Sequence, residues 1–425
     1  MARIVSQITF ADYGMIEILG DLERFLLAML GMDDEALMLR LESKRGKGRN
    51  DYPVRVMWNL VIAMKVFGHR TVESFRRELS RNSQLRSICG LEDFGNKKHL
   101  VPPARVFSGF LKLLEDEQEE IDRMFESRVL ELTEILPEFA KSTAGDGKYL
   151  DSYAKQEHKE PNPDAGGRAD NDAKWGVKEY HYEDKNGKAQ VKKEYHYGFK
   201  AHIICDVKTE LTVAFNVLTA NCDEKKAMKE LLEKLPRRIV ERMDYIMLDR
   251  GYDSTEMIRR AKSDGIIPIV DIRNCWKDGE ETKQYKDTDI VYDYKGNVYY
   301  VDDKGEKRRM HYEGYDRQKK CLRYSYMNKV YKIYISYDER VFLPVARDSK
   351  KFERLYKGRT SVERLNGRLD RDYMFEDHCI RGLKKMKLMV SLTLITMNAM
   401  ALGKLKGGVT THLAALTRLE MPRAG

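Results

Sequence analysis

The six cysteines show no Cys-x-x-Cys spacing, which excludes a zinc site of that pattern and offers no disulfide framework. They read as reduced intracellular thiols. No apolar signal core precedes the first polar residues of Met1-Ala2-Arg3-Ile4-Val5-Ser6-Gln7, so an exported product is not expected. Long apolar runs are also scarce. The longest, Leu388 to Leu402, has about 15 residues against the roughly 20 that span a bilayer, and Ser391, Thr393, Thr396 and Asn398 interrupt it. It is expected to be a buried core helix, with no membrane partner and a cytoplasmic protein. No repeat of fixed period and no low-complexity tract is visible. The net charge is only +9, which permits a nucleic-acid partner without demanding one.

What is present is length and charge. The chain has 425 residues, 42% hydrophobic and 34% charged, enough for two or three domains at roughly 150 residues each. Basic residues cluster at Lys44-Arg45-Gly46-Lys47-Gly48-Arg49 and again at Lys384, Lys385 and Lys387. Solvated surface is the plain reading of such runs; DNA contact by Lys44, Arg45, Lys47 and Arg49 is the functional one.

Periodicity predicts helices over the first 135 or so residues. Phe25, Leu26, Met29, Leu30, Leu37 and Leu39 recur at helical spacing. Asp51-Tyr52-Pro53 starts a helix ending at Gly68. Thr71 opens the next, Ser83 caps a short one, and Pro102-Pro103 begins another. The acidic run Glu115 to Asp122 reads as a solvated helix face. Outward arginines fit a small DNA-binding bundle, and equally an ordinary helical domain.

From about residue 143 the period changes. Strands are expected at 143–150, 197–206, 211–217, 245–248 and 266–270, helices at 227–235 and 254–261, and a polar loop at 151–190. This element order is that of an RNase H-like α/β core. Between 271 and 345, tyrosine-rich alternation predicts a β-rich insertion. The resulting division is an N-terminal helical domain at 1–137, a core at 138–270 and 346–405, the insertion at 271–345, and a tail at 406–425.

Three acids are the candidates for chemistry. Asp146 is read as following a strand, although the strand expected at 143–150 would contain it, and it precedes glycine, a pairing that also makes hairpin turns. Asp249 ends the apolar Tyr245-Ile246-Met247-Leu248, where ligands gather in α/β sheets, although a turn residue belongs there too. Glu363 lies in a helical stripe with Tyr356, Arg359 and Asp370. An exposed Arg-Glu pair explains Arg359 but not the tyrosine. A guanidinium beside a carboxylate would suit a DNA phosphate, and Asn366 and Arg368 extend the same surface.

The chain resembles the DDE transposases of bacterial insertion sequences, the cut-and-paste group with an RNase H-like core. The likeness rests on Asp51-Tyr52-Pro53-Val54-Arg55, Tyr197-Gly198-Phe199-Lys200-Ala201-His202, Leu248-Asp249-Arg250-Gly251-Tyr252-Asp253 and Tyr356-x-x-Arg359-x-x-x-Glu363. It implies that Asp146, Asp249 and Glu363 are catalytic and hold two Mg²⁺ ions, for which Mn²⁺ substitutes. It further implies cleavage of the element's terminal inverted repeats, joining of the 3′-hydroxyl to target DNA, and a homodimer on paired ends near the nucleoid. Tyr356 and Arg359 would hold terminal phosphates. One position departs. The family carries lysine seven residues after the glutamate, and this chain has Asp370, so Arg368 or Arg371 takes that contact or this copy is impaired. A metal nuclease that cuts without joining and a non-catalytic DNA-binding copy are the rival readings.

Overall fold

The computed structural model describes residues 20–45, 51–91, 101–154, 170–183 and 189–416. Helices α1 (Glu23–Gly31), α2 (Glu35–Lys44) and α3 (Val54–Val66) open the fold. Pro53 precedes α3, where its missing N–H costs nothing, and Trp58 at its centre is fully buried. The Trp58 indole donates to Asp34 Oδ2 at 2.6 Å, and Arg55 pairs with the same oxygen at 2.6 Å. Leu39 is 59% exposed: the helical period continues, but its apolar face there is Leu37, Met38 and Leu41.

Helix α4 (Val72–Arg81) begins in a capping box of Thr71 and Ser74. The short α5 (Ser83–Ile88) is capped by Asn82, one residue before the expected Ser83, because the Asn82 side chain accepts from Leu85 N–H. Helices α6 (Ala104–Glu115) and α7 (Gln118–Ile135) follow. The acidic run between them is not simply a solvated face. Glu117 is buried and receives both Arg40 and Lys44 from α2.

Strand β1 (Ser142–Asp151) pairs antiparallel with β3 (Ala189–Asp206), which pairs on its other side with β4 (Thr212–Thr219). β1 also pairs in parallel with β5 (Tyr245–Leu248), and β5 with β6 (Ile267–Val270). The expected polar loop at 151–190 contains a strand, β2 (Lys174–Glu183), which forms a ribbon with the first half of β3. Trp175, Val177 and Tyr195 are all exposed on this ribbon. Lysines alternate with them, so the segment imitates a loop in composition while keeping the period of a strand.

Helices α8 (Glu224–Glu233), α9 (Arg237–Val240) and α10 (Thr255–Ser263) cover the sheet. Ser254 caps α10. Asp253, the residue before that cap, is buried and bound by Arg340.

The insertion forms two small sheets. One comprises β7 (Thr282–Gln284), β8 (Ile290–Asp293), β9 (Val298–Val301) and β10 (Lys307–Arg309). The other comprises β11 (His311–Asp316), β12 (Cys321–Tyr326) and β13 (Lys329–Tyr334). They share a core of their own around Tyr292, Leu322, Tyr324, Ile333 and Phe342. Trp276 rests edge-on against Tyr292 with Lys283 over its ring, so it serves that core's rim.

Helix α11 (Lys350–Tyr356) and a 3-10 turn over Lys357–Arg359 lead into α12 (Thr360–Arg371). The expected continuous stripe from Tyr356 to Asp370 is therefore broken by a tighter turn, where Gly358 packs close to Val207. The last helix, α13 (Leu383–Lys406), has the length and apolarity to cross a membrane, yet 94% of its most apolar window is buried inside the fold. It packs against both the N-terminal helices and β4, so these share one continuous core. A Cβ on Gly403 would meet the Leu27 carbonyl at 2.1 Å, and one on Gly31 the Ala399 carbonyl at 1.9 Å. Glycine at both places lets α1 and α13 touch backbone to backbone.

Candidate active site at the ends of the central strands

Asp146 lies within β1 rather than after it, opposite Ile203 of β3. The hairpin-turn reading therefore falls. Its glycine neighbour has a different cause: a Cβ on Gly147 would stand 2.8 Å from Lys200 Cε and 3.2 Å from the Tyr252 hydroxyl. Gly145 is in register with Leu248 of β5, so Asp146 and Asp249 are the next residues on adjacent parallel strands, which run roughly 4.8 Å apart. Burial pushes the Asp146 carboxyl up to about 6. Its own Gly147 N–H opposes that, Asp249 and Glu224 reinforce it, and Arg359 opposes it weakly.

Asp249 is exposed and caps the following turn by accepting from Arg250 N–H at 2.6 Å. Arg250 reaches Asp271, which follows β6 as Asp249 follows β5. Glu363 lies in the first turn of α12, its side chain 48% exposed, and pairs with Arg359 at 2.8 Å. Burial works against the Arg359 charge, but Glu363 and Asp249 together hold its pKa above the ordinary value. The Tyr356 ring lies 5.9 Å from the Arg359 guanidinium and stacks on Phe352. Burial, then Asp249, raises the Tyr356 hydroxyl. Val362, Leu365 and Leu369 bury the opposite face of α12, with Ser361 3.5 Å from Cys205 of β3.

The three candidate acids do not meet: Arg359 stands between Glu363, which it binds, and the two aspartates whose charges act on it. Asp146 and Asp249 lie on adjacent strands, while Glu363 is turned onto the guanidinium. Among the described residues, no three His, Cys, Asp or Glu side chains stand close enough to hold an ion as they are. The donor chemistry nevertheless fits a hard divalent cation. Two carboxylates are neighbours, one of them raised by burial and by like charge, and oxygen donors are what Mg²⁺ and Mn²⁺ prefer.

The other candidate DNA contacts are distributed unevenly. Arg368 is taken by Glu210 and Arg371 by Asp372 at 2.7 Å. Lys44 is held by Glu117, and Arg45 lies 3.9 Å from Glu42. Lys47 and Arg49 lie outside the described residues. At Asp370 the structure shows an ammonium after all: Lys148 of β1 donates to it at 2.7 Å. Lys148 is two residues from Asp146 and so shares its face of the strand.

Three residues near the site were missed in the sequence reading. Glu224 is bound by Lys200, which is 1% exposed and covered by the Tyr149 ring. Tyr252 is buried behind Gly147. Asp271 could have been found, because Ile269-Val270-Asp271 repeats the strand-then-acid pattern of Leu248-Asp249.

A family model described as a transposase DDE domain matches residues 161–399, more than half of the chain. The matched range contains Asp249, Tyr356, Arg359 and Glu363 and begins after Asp146. No curated protein matches the chain.

Proposed function

We propose a DNA cleavage and joining activity from one premise: the chain belongs to the DDE-domain transposases of insertion sequences. DNA is the substrate class this membership implies. In our reading the chain cuts the ends of its element and joins the freed 3′-hydroxyl to target DNA, as a homodimer on paired ends. The sheet β4-β3-β1-β5-β6, with three antiparallel strands followed by two parallel ones, supports an RNase H-like core. The helices of 1–137 would serve DNA binding, with the insertion beside the site and 406–425 as a tail.

The observation that carries this reading is the adjacency of Asp146, within β1, and Asp249, at the end of the neighbouring parallel strand β5, with Arg359 between them and Glu363. Two Mg²⁺ ions, or Mn²⁺ in their place, would be held by Asp146, Asp249 and Glu363 and would supply activation of the attacking hydroxyl and neutralisation of the leaving oxygen. The chain's own residues do the rest. A DNA phosphate competes with Glu363 for Arg359, and a guanidinium that turns to phosphate releases the carboxylate toward the two aspartates. Tyr356 limits the swing of Arg359 by lying beside it. Lys148, aimed by Asp370, offers a second cation on the face of β1 that carries Asp146, the role expected of Arg368 or Arg371. Lys200 and Tyr252 fill the opposite face behind Gly147 and keep Asp146 at its height on the strand.

The test is Mg²⁺-dependent end cleavage and strand transfer by Asp249→Asn and Glu363→Gln. Both should lose at least about 100-fold in rate, since even outer groups of metal sites cost that much. Either variant cleaving like the parent would refute the assignment. Cleavage without joined product in the parent would make the protein a nuclease instead.

A further inference from the structure

A second site lies where α3, α4 and the start of α13 meet the segment that follows α12. A cleft of about 150 Å³ opens there. Lys65, His69, Arg70, His378 and Lys385 line it, and no aspartate or glutamate does. The remaining walls are mainly apolar.

Lys65 is the most informative of these. Its ammonium lies 5.5 Å from the centroid of the Phe375 ring, and no carboxylate pairs with it among the described residues. Burial, then the charge of Lys385, lowers its pKa to about 8. A cation partly withdrawn from water without a paired carboxylate costs stability, and a fold that keeps one in an open cleft gains from an anion there. His378 is oriented for the same purpose. Its Nδ1 accepts from Ile380 N–H at 3.1 Å, which leaves Nε2–H free to donate. Burial and the Lys65 charge lower its pKa to about 4, so it stays a neutral donor at pH 7. Thr71 and Val72 place the start of α4 in the wall, and a helix N-terminus adds positive potential. Arg70 holds the rim through Asp377 at 2.9 Å.

We propose that this cleft binds a phosphate group. Its place suits DNA in particular. Asp151, at the end of β1, is among the charges acting on His378 and is five residues beyond Asp146. At about 3.3 Å per residue that is roughly 17 Å, the rise of about five nucleotides of duplex. A small phosphate compound would satisfy the same groups.

The experiment titrates inorganic phosphate into the full chain by calorimetry, and into Lys65→Met and His378→Gln. Thermal unfolding in phosphate is compared with chloride at equal ionic strength. Phosphate should bind the parent and raise its Tm, and each substitution should weaken binding by about tenfold or more, the worth of one charge-assisted hydrogen bond. The Lys65→Met chain should be folded and no less stable in chloride, which separates loss of the site from loss of the fold. Equal phosphate binding by parent and Lys65→Met, or no gain in Tm over chloride, overturns the proposal. The salt dependence of duplex DNA binding then assigns the source. A log–log slope that falls by about one in Lys65→Met marks a backbone phosphate; an unchanged slope with phosphate binding lost marks a free phosphate compound.

Discussion

Around Asp146, within β1, three carboxylates act on one another: its own, that of Asp249 and that of Glu224, of which Glu224 is bound by Lys200. In the cleft beyond Asp151, at the end of the same strand, Lys65, His69, His378 and Lys385 line a wall without an acid, while Arg70 at the rim is paired with Asp377. Elsewhere among the described residues, several buried charges are matched. Arg340 closes on Asp253, whose side chain is fully buried, and Arg40 and Lys44 close on Glu117. Arg347 gives its guanidinium to the carbonyls of Val270, Val341 and Arg340. Matched charges hold parts of the molecule together, whereas unmatched charge weakens the free protein and strengthens whatever ligand supplies the missing sign. The two unmatched regions are where ligands of opposite sign are assigned.

The largest expected effect comes from breaking a matched pair. Arg340→Ala leaves the Asp253 carboxylate buried between the core and the insertion, and should cost about 3–5 kcal/mol in denaturant unfolding. A loss below about 1 kcal/mol would place this pair with surface ion pairs and dissolve the contrast. Next comes the reverse effect at the acidic centre. The folded Asp146 has its pKa raised from 3.8 to about 6, so its protonated form is favoured by the fold. That contribution is fully present below pH 3.8 and is lost as pH rises through 6. Asp146→Asn should therefore stabilise the free protein at pH 7, on the order of 2 kcal/mol, with no gain near pH 3.5, while abolishing end cleavage. A destabilised Asp146→Asn would mean that its charge is already compensated. The smallest effect is Lys65→Met in chloride alone, a modest rise in Tm from removing a cation that burial already disfavours.

Helix α3 was legible because the period of its apolar stripe, Val54, Met57, Leu60, Val61 and Met64, survives in the sequence, whereas the stripe read from Tyr356 to Asp370 was legible only in part, since a 3-10 turn over Lys357–Arg359 interrupts it. In the insertion, β8, β9, β12 and β13 were legible as α3 was, at period two. The β2–β3 ribbon was not, because both its faces keep contact with solvent and lysines replace the apolar half of the alternation. Asp249 could be read from the strand that carries it. Asp146 could be read only with a competing turn, since the close approach of Lys200 and Tyr252 that demands Gly147 is a tertiary fact. Lys148 facing Asp370, Glu224 behind the strand and the acid-free cleft are likewise products of packing between distant segments. No spacing along the chain announces them.

The most direct test of the account is a calorimetric titration of Mn²⁺ into the full chain and into Asp146→Asn, each followed by thermal unfolding. The account predicts that Mn²⁺ binds the parent and raises its Tm, and that Asp146→Asn starts from a higher Tm, binds Mn²⁺ far more weakly and gains little from it. Equal Mn²⁺ affinity in the two chains would contradict it, because the carboxylate on β1 would then have no part in holding the cation.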